Sequence, residues 1–436
     1  MLVQQTFVRA RRSLYGRIFL NYRDMSARKW TTCSCTVCRD DAIPSRSFPM
    51  SNQLSNHVKP STTVDQYLNS PGTLCFQLGF PLTASWRAHI LYCKASITMS
   101  SMQAVLIKDG KGPIENLYIG EADKPTPKAD EVLVKIKAFG LNRMDVSQRE
   151  GRYPPPPGIS DILGVEFSGH VVDIGNSVER WTIGDEVFGL AGGGAYAEFI
   201  VVPETNVLKK PGHLSWVEAA SLPENFLTAY QALILVGEMK EGEDVLVHAG
   251  ASGVGVAAIQ LARLHHAKHV IATASTSDKL NWLRSLPSGA THTANYKTQD
   301  FAAEVKKVTE GKGVDVVIDF VGQSHWHKNI DSLAVDGRMT LLAFLSGAEV
   351  PSFNLLPILF KRLRIQGSTL RSRSKQYQAD LIKKFEENIL PHITGSEGAG
   401  KVRTYIHKVY PWTEIQEAHR EMEANKNSGK IIAEVV

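Results

Sequence analysis

The stretch of this 436-residue chain best suited to chemistry is Gly250-Ala251-Ser252-Gly253-Val254-Gly255. It follows the strand-like run DVLVHAG directly and leads into the amphipathic run GVAAIQLARLHHA. Glycines at such a turn let backbone N–H groups approach a pyrophosphate, and the N-terminus of the next helix adds roughly half a positive charge to hold it. A strand before the loop and a helix after it supply the context that separates a dinucleotide site from a tight turn. An NAD site would place Asp or Glu about 20 residues further on, against the ribose hydroxyls. The string HVIATASTSDK instead places Thr273, Ser275 and Thr276 there, with Lys279 a turn later. Small hydroxyls leave room for a 2′-phosphate and Lys279 can neutralise it, so NADPH is the expected cofactor. The plainer alternative makes Lys279 a solvated helix residue and Asp278 a charge at the helix N-terminus.

The elements that must position this loop change character along the chain. From Met102, the runs MQAVLIK, DEVLVKIKAFGL, EFSGHVVDIG and DEVFGLA read as short strands between Gly, Pro and Asp turns, which predicts an antiparallel, barrel-like unit over 102–222. Over 223–368, near-continuous apolar strands alternate with amphipathic helices, the pattern of a parallel sheet covered on both faces. Residues 369–436 return to helix and strand pieces and end on KIIAEVV, which is expected to rejoin the first unit. The fold class is therefore α/β, a β-rich domain split by an inserted nucleotide-binding domain.

Residues 1–101 stand apart. They carry 12 Lys and Arg against 4 Asp and Glu, whereas the remaining 335 residues hold 37 basic and 40 acidic side chains. The basic balance thus belongs to the first segment, and the body, at −3, offers no general attraction for nucleic acid. All five cysteines (Cys33, Cys35, Cys38, Cys75, Cys93) lie in the same segment. A cysteine-free body has neither disulfides nor thiolate metal sites, which suits a reducing compartment. The Arg-rich, acid-free opening MLVQQTFVRARRSLYGRIFL fits a mitochondrial presequence, and the alternative is a disordered tail or upstream sequence. CSCTVC has the spacing of half a metal site, but no second pair follows it. No run approaches the roughly 18 apolar residues of a spanning helix, so no membrane partner is expected.

From Met102 onward the chain resembles the zinc-free quinone oxidoreductases of the medium-chain dehydrogenase/reductase superfamily. The strings that carry the resemblance are GLNRMD, QREGRYPPPPG, ILGVEFSGHV, PENFLTAYQAL, VLVHAGASGVGVAAIQLAR, LRSR, ILPH and EIQEAHREMEANKNSGKI. The resemblance implies a GroES-like catalytic domain with an inserted Rossmann domain, NADPH as hydride donor, and a homodimer. It places phosphate contacts on Ser275, Lys279 and Tyr296, the nicotinamide pocket at Asn142 and Asp145, and Thr228 near the nicotinamide. Ser252 departs from the Ala-rich glycine loop of most members, as a small residue that is expected to be tolerated. Zinc enzymes of the superfamily carry a Cys in the loop that reads GLNRMD here and a His in the loop that reads GVEFSG; both are missing, as is the four-cysteine lobe.

Without a Lewis acid, reduction of a simple ketone lacks its charge stabilisation. A quinone or activated alkene accepts hydride readily, so positioning and a few hydrogen-bond donors suffice. Tyr153, Asn142 and Asp145 are the candidate catalytic residues. A tyrosine with a pKa near 10 is protonated at working pH and suited to donating to a developing oxyanion. Structurally, Asn142 and Asp145 could instead cap a short helix, Tyr153 could pack against Pro154 to Pro157, and Thr228 could bond its own backbone. His325 and His327, flanking Trp326, start a helix on which they face different sides, so they are not expected to bind metal. Lys361, Arg362 and Arg364 lie near Arg371 and Arg373 in sequence, and touch either cofactor phosphates or only water. The expected function is NADPH:quinone reduction in the cytoplasm. The alternatives are an enoyl-thioester reductase, favoured by a mitochondrial address, and a non-enzymatic RNA-binding or structural role.

Overall fold

The computed structural model describes residues 100–396 and 398–436. The expected targeting or disordered extension lies outside them, apart from residues 100 and 101. The first element, β1 (Ser101–Ile107), pairs antiparallel with β2 (Leu117–Asp123). There follow β3 (Glu131–Gly140), α1 (Arg143–Arg149), β4 (Glu166–Ile174), β5 (Glu186–Leu190), β6 (Phe199–Pro203) and β7 (Val207–Lys209). Two short helices, α2 (Trp216–Ala220) and α3 (Pro223–Tyr230), lead out of this unit.

β3 explains its own sequence. β4 pairs along one edge, while on the other β6 covers Glu131–Lys135 and β17 (Lys430–Glu434) covers Ala138–Gly140. A strand flanked on both edges and packed on both faces reads as an almost unbroken apolar run, and most of β3 is buried. β17 also pairs parallel with β16 (Ile406–Pro411), so the C-terminal residues complete a seven-stranded sheet in which Gly140 pairs with Ile432, 292 positions later. Helix α10 (Ile415–Glu423) packs its Ile415, Ala418 and Met422 into the core of this sheet.

Between these parts lies a six-stranded parallel sheet, formed by β8 (Asp244–Val247), β9 (His269–Ala274), β10 (His292–Asn295), β11 (Val314–Asp319), β12 (Leu333–Leu341) and β13 (Arg364–Gly367). Their order is β10-β9-β8-β11-β12-β13, and every neighbouring pair is parallel. The helices between them are α4 (Gly253–Leu264), α5 (Ser277–Ser285), α6 (Phe301–Val308), α7 (Trp326–Ser332) and α8 (Leu356–Phe360). The order reverses between β8 and β11, and in such sheets the crevice outside the strand carboxyl ends at that reversal receives the ligand. The α/β class, with a Rossmann-like sheet inserted into a GroES-like β-rich unit, agrees with the sequence reading. Helix α9 (Lys375–Asn388) then packs Leu381, Ile382 and Phe385 into the same apolar cluster as α3 and α4, ahead of the short pair β14 (Ile393–Thr394) and β15 (Val402–Arg403).

Candidate active site

The glycine loop sits at the carboxyl end of β8. Ser252 caps α4, its Oγ accepting the Gly255 N–H at 3.1 Å while its carbonyl accepts the Val256 N–H at 2.9 Å. The Val254 N–H is left in the first turn without a protein acceptor among the described residues, as the opening donors of a helix are. Two glycines are fixed by close approach. A Cβ on Gly255 would lie 2.4 Å from the Ala249 carbonyl oxygen, and one on Gly253 would lie 2.5 Å from Oδ1 of Asn225 in α3. Gly250 is pressed against Ala272 of β9, where a Cβ would come within 2.9 Å. An exposed helix N-terminus over a strand crossing point fits a dinucleotide pyrophosphate.

At the far end of β9, Lys279 donates to the Asn425 carbonyl at 2.6 Å, and Arg143 donates to Oδ1 of the same Asn425 at 2.6 Å. Lys279 is held below its ordinary pKa by burial and by the nearby charges of Arg143 and Lys297. Three cations so placed lower their cost when they share an anion, as a 2′-phosphate would be. Ser275, just past the end of β9, is partly buried, and Tyr296 is partly exposed, its ring 5.3 Å from that of His325. Thr273 departs from the sequence reading. It is fully buried, its hydroxyl engaged with Nδ1 of His248 at 2.9 Å, and it faces the core rather than the ribose.

Where the two sheets meet, α1, β4, α3 and β17 bring their first residues into one buried polar cluster. Asn142, at the N-terminus of α1, donates from Nδ2 to Glu166 at 2.7 Å and accepts from Lys430 on Oδ1 at 2.7 Å. Lys430 is ion-paired with Glu166, and both are almost wholly buried. The second carboxylate oxygen of Glu166 accepts the Glu224 N–H at 2.9 Å, and Lys430 reaches Asn225 at 3.4 Å. Asp145 accepts the Asn142 N–H at 2.8 Å and the Tyr196 hydroxyl at 3.0 Å on the same oxygen, and its other oxygen is buried without a partner among the described residues. Burial lifts the Asp145 pKa to about 6. Asn142 and Asp145 thus cap α1 and also form a buried polar floor, and both ends of the Asn142 amide are already engaged.

Over this floor stand Tyr153, Arg371 and Glu224. The Arg371 guanidinium lies 5.7 Å from the centre of the Tyr153 ring, and it feels the charges of Asp145 and Glu224. Burial raises the Tyr153 phenol above its ordinary pKa, against the opposing pull of Arg371, so the phenol stays protonated. Glu224 accepts the Thr228 hydroxyl at 3.2 Å, one helical turn along α3. Burial of its carboxyl, reinforced by the Glu166 charge, raises its pKa to about 7. A carboxyl tuned to neutrality beside a phenol and a guanidinium forms a set able to deliver a proton and stabilise an oxyanion.

The remaining sequence candidates settle elsewhere. His325 is buried, with its ring 4.8 Å from His248 and 5.0 Å from Phe301, and His327 lies 5.8 Å from the Phe353 ring. Among the described residues, no three His, Cys, Asp or Glu side chains cluster closely enough to hold a metal. Lys361 caps the end of α7 by donating to the carbonyls of Ile330 and Leu333, both at 2.8 Å. Arg362 pairs with Asp336 and Arg364 with Glu238, so this basic cluster serves the protein surface. Glu166, Glu224 and Lys430 were not singled out from the sequence. Their signal was a charge at the head of an otherwise apolar element: Glu166 in EFSGHVV, Glu224 in PENFL and Lys430 in KIIAEVV.

Residues 128–212 match the alcohol dehydrogenase GroES-like domain and residues 253–387 the zinc-binding dehydrogenase domain. The human synaptic vesicle membrane protein VAT-1 homolog-like is 31% identical over 77% of this chain and 81% of its own length. The zebrafish synaptic vesicle membrane protein VAT-1 homolog is also 31% identical, and the match spans 65% of its length. Human quinone oxidoreductase is 29% identical over 76% of this chain and 97% of its own. Among solved structures, a Pseudomonas syringae quinone oxidoreductase (30% identity, TM-score 0.66) and the CurK enoyl reductase (32%, 0.66) each align with 77% of this chain, covering 100% and 99% of their own. An NAD-dependent alcohol dehydrogenase aligns equally well, at 33% identity and a TM-score of 0.66, over 77% of this chain and 100% of its own. On fold, glycine loop and these relatives together, the chain belongs to the medium-chain dehydrogenase/reductase superfamily of nicotinamide-dependent oxidoreductases, as a quinone oxidoreductase-like member.

Proposed function

We propose that the protein is an NADPH-dependent quinone oxidoreductase acting without zinc, with residues 223–368 holding the dinucleotide and residues 102–222 and 369–436 framing the acceptor. The observation that carries the reading is the group Tyr153, Glu224 and Arg371 above the buried floor of Asn142 and Asp145, beside a glycine loop. Bound NADPH supplies the hydride. The Gly250–Gly255 loop holds the pyrophosphate through the Val254 N–H and the dipole of α4. Ser275, Lys279 and Tyr296, with Arg143 and Lys297 close by, receive the 2′-phosphate. Thr228 keeps Glu224 turned toward the nicotinamide side. Tyr153 donates its hydroxyl proton in a hydrogen bond to the acceptor oxygen, and Glu224 transfers the proton that completes reduction. Asn142 and Asp145 position α1, and through it the loop bearing Tyr153, by hydrogen bonds at 2.7 and 2.8 Å.

Two further features accompany this reading. A homodimer is supported by an exposed apolar strip on and beside α8. No helix among the described residues is long and apolar enough to cross a membrane, and the working compartment is proposed to be the cytoplasm. The second reading, an enoyl-thioester reductase, is favoured by the CurK likeness and uses the same donors on an enolate oxygen. Purified protein assayed with NADPH or NADH against ortho-quinones, para-quinones and a short enoyl-CoA separates the two. Quinone turnover with NADPH preferred over NADH is expected, whereas turnover of the enoyl-CoA alone overturns the quinone reading.

A further inference from the structure

Arg371 is 7% exposed, and its bonding is incomplete. Its Nε donates to the Gly192 carbonyl, but Nη1 and Nη2 are both buried and find no acceptor among the described residues. A permanently charged guanidinium left so loses several hydrogen bonds to water with nothing in return. The surroundings are built around it. Gly193 lies against it, a Cβ there coming within 3.2 Å of Nη2, and the Tyr153 ring stands over its face. The loop that carries Tyr153 continues to Ile159 and Ser160, which touch Gly192 and Gly193. Among the described residues, the carboxyl groups whose charge acts on Arg371 are those of Asp145 and Glu224, and neither is hydrogen-bonded to it.

We propose that Arg371 is a catalytic residue whose two free N–H groups hold the acceptor oxygen on which negative charge develops, with the Tyr153 hydroxyl as the companion donor. This rests on the reductase reading and names the group that replaces a Lewis acid in it. When a ring carbon of the acceptor takes the hydride, the adjacent C=C pair shifts and a carbonyl π pair moves onto oxygen, leaving an enolate that is one proton short of product and reaches the hydroquinone by transferring its ring C–H proton to oxygen through solvent. The Glu224 carboxyl gives the missing proton and regains one from solvent, and NADPH leaves as NADP⁺. A planar fork with a fixed charge suits that oxyanion better than an ammonium does.

The test compares Arg371→Gln, Arg371→Lys and Arg371→Ala with the parent protein, each with NADPH bound. Arg371→Gln is expected to lower kcat/KM for the acceptor by about 100-fold or more, the scale of a lost oxyanion donor, while the KM for NADPH stays within about two-fold. Arg371→Lys is expected to lose about 10-fold, because charge remains but the fork does not. Added methylguanidinium is expected to restore part of the activity of Arg371→Ala and to leave the parent unchanged. An anchoring role for the Gly192 contact alone would lower the melting temperature and give no rescue, and that result overturns the proposal. So does an Arg371→Gln protein with parental kcat/KM. If Arg371→Gln fails to fold, Arg371→Lys and the rescue decide between the two roles. If the parent reduces an enoyl-CoA and no quinone, the quinone reading falls and the same variants are scored on the enolate reaction. If it reduces neither, affinity for picrate, a phenolate ionised at neutral pH, is measured instead. An approximately 10-fold or greater loss in Arg371→Gln supports the proposal, and equal affinity overturns it.

Discussion

Glu224 is the residue whose titration the site makes most testable. Its folded-state pKa, about 7, stands above the ordinary value of 4.5 because burial and the Glu166 charge both disfavour the carboxylate. As a proton donor it works in its protonated form, so kcat is expected to fall as pH rises through about 7. Glu224→Gln should flatten that limb and lower kcat by about 100-fold; a variant with unchanged kcat and an unchanged pH profile removes Glu224 from the chemistry. Stability follows the same proton. Between about pH 4.5 and 7 the folded chain holds a proton that the unfolded chain releases, so this group makes the protein less stable as pH rises across that window. Urea unfolding of Glu224→Gln at pH 5 and pH 7.5 should show that slope reduced. None of this was legible in PENFLTAYQAL, where Glu224 reads as a favourable charge in the first turn of a helix. The pKa depends on Glu166, 58 residues away in sequence, and no local pattern reports a pairing across elements.

At the scale of elements, Lys430 ties four of them together: β17, which carries it, β4 through Glu166, α1 through Asn142, and α3 through Asn225. Removing one partner of a buried ion pair leaves an uncompensated charge, so Lys430→Met is expected to cost about 3–5 kcal/mol of unfolding free energy. The double variant Glu166→Gln with Lys430→Met should cost much less than the single one, since the stranded carboxylate goes with its partner. Additive costs in the urea midpoints would show that the pair is not coupled. The glycine loop and the βα alternation were legible because both are local: a turn that needs close backbone approach, and periodicity within one strand or helix. The polar floor was legible only in part: Asn142 and Asp145 were named through the resemblance, but Glu166, Glu224 and Lys430 lie at element starts far apart in the chain. The same limit hid the π-helical turn Gln231–Val236 that extends α3, where Thr340 of β12 bonds the Ala232 carbonyl at 2.9 Å. Thr273 was misjudged for the converse reason. By spacing it stood among the small hydroxyls that leave room for a 2′-phosphate, but strand alternation turns it to the core, where His248 takes it.

At the scale of the whole molecule, the described residues leave one face unfinished. Among the described residues, β13 is the last strand of the parallel sheet and pairs with β12 alone, and three of its four residues are exposed. Just before it, Leu355, Leu356, Leu359 and Phe360 are 68%, 52%, 69% and 71% exposed, an apolar strip on and beside α8. An open strand edge invites pairing with another strand, and a contiguous apolar strip marks an association surface. A second copy related by a two-fold axis meets both needs at once, because the same edge and the same strip on each protomer then face one another. The Arg362–Asp336 and Arg364–Glu238 pairs flank this region and supply the polar rim such an interface carries. None of the residues proposed for the site lies on α8 or β13, so dimer formation and hydride transfer should separate on mutation. Leu359→Glu with Phe360→Glu is expected to convert the protein from dimer to monomer in sedimentation velocity while NADPH oxidation stays within about two-fold of the parent, since charges added at exposed positions away from the site disturb little else. A parent protein that sediments as a monomer at micromolar concentration, or a double variant that remains dimeric, would show that this face is not where two copies meet.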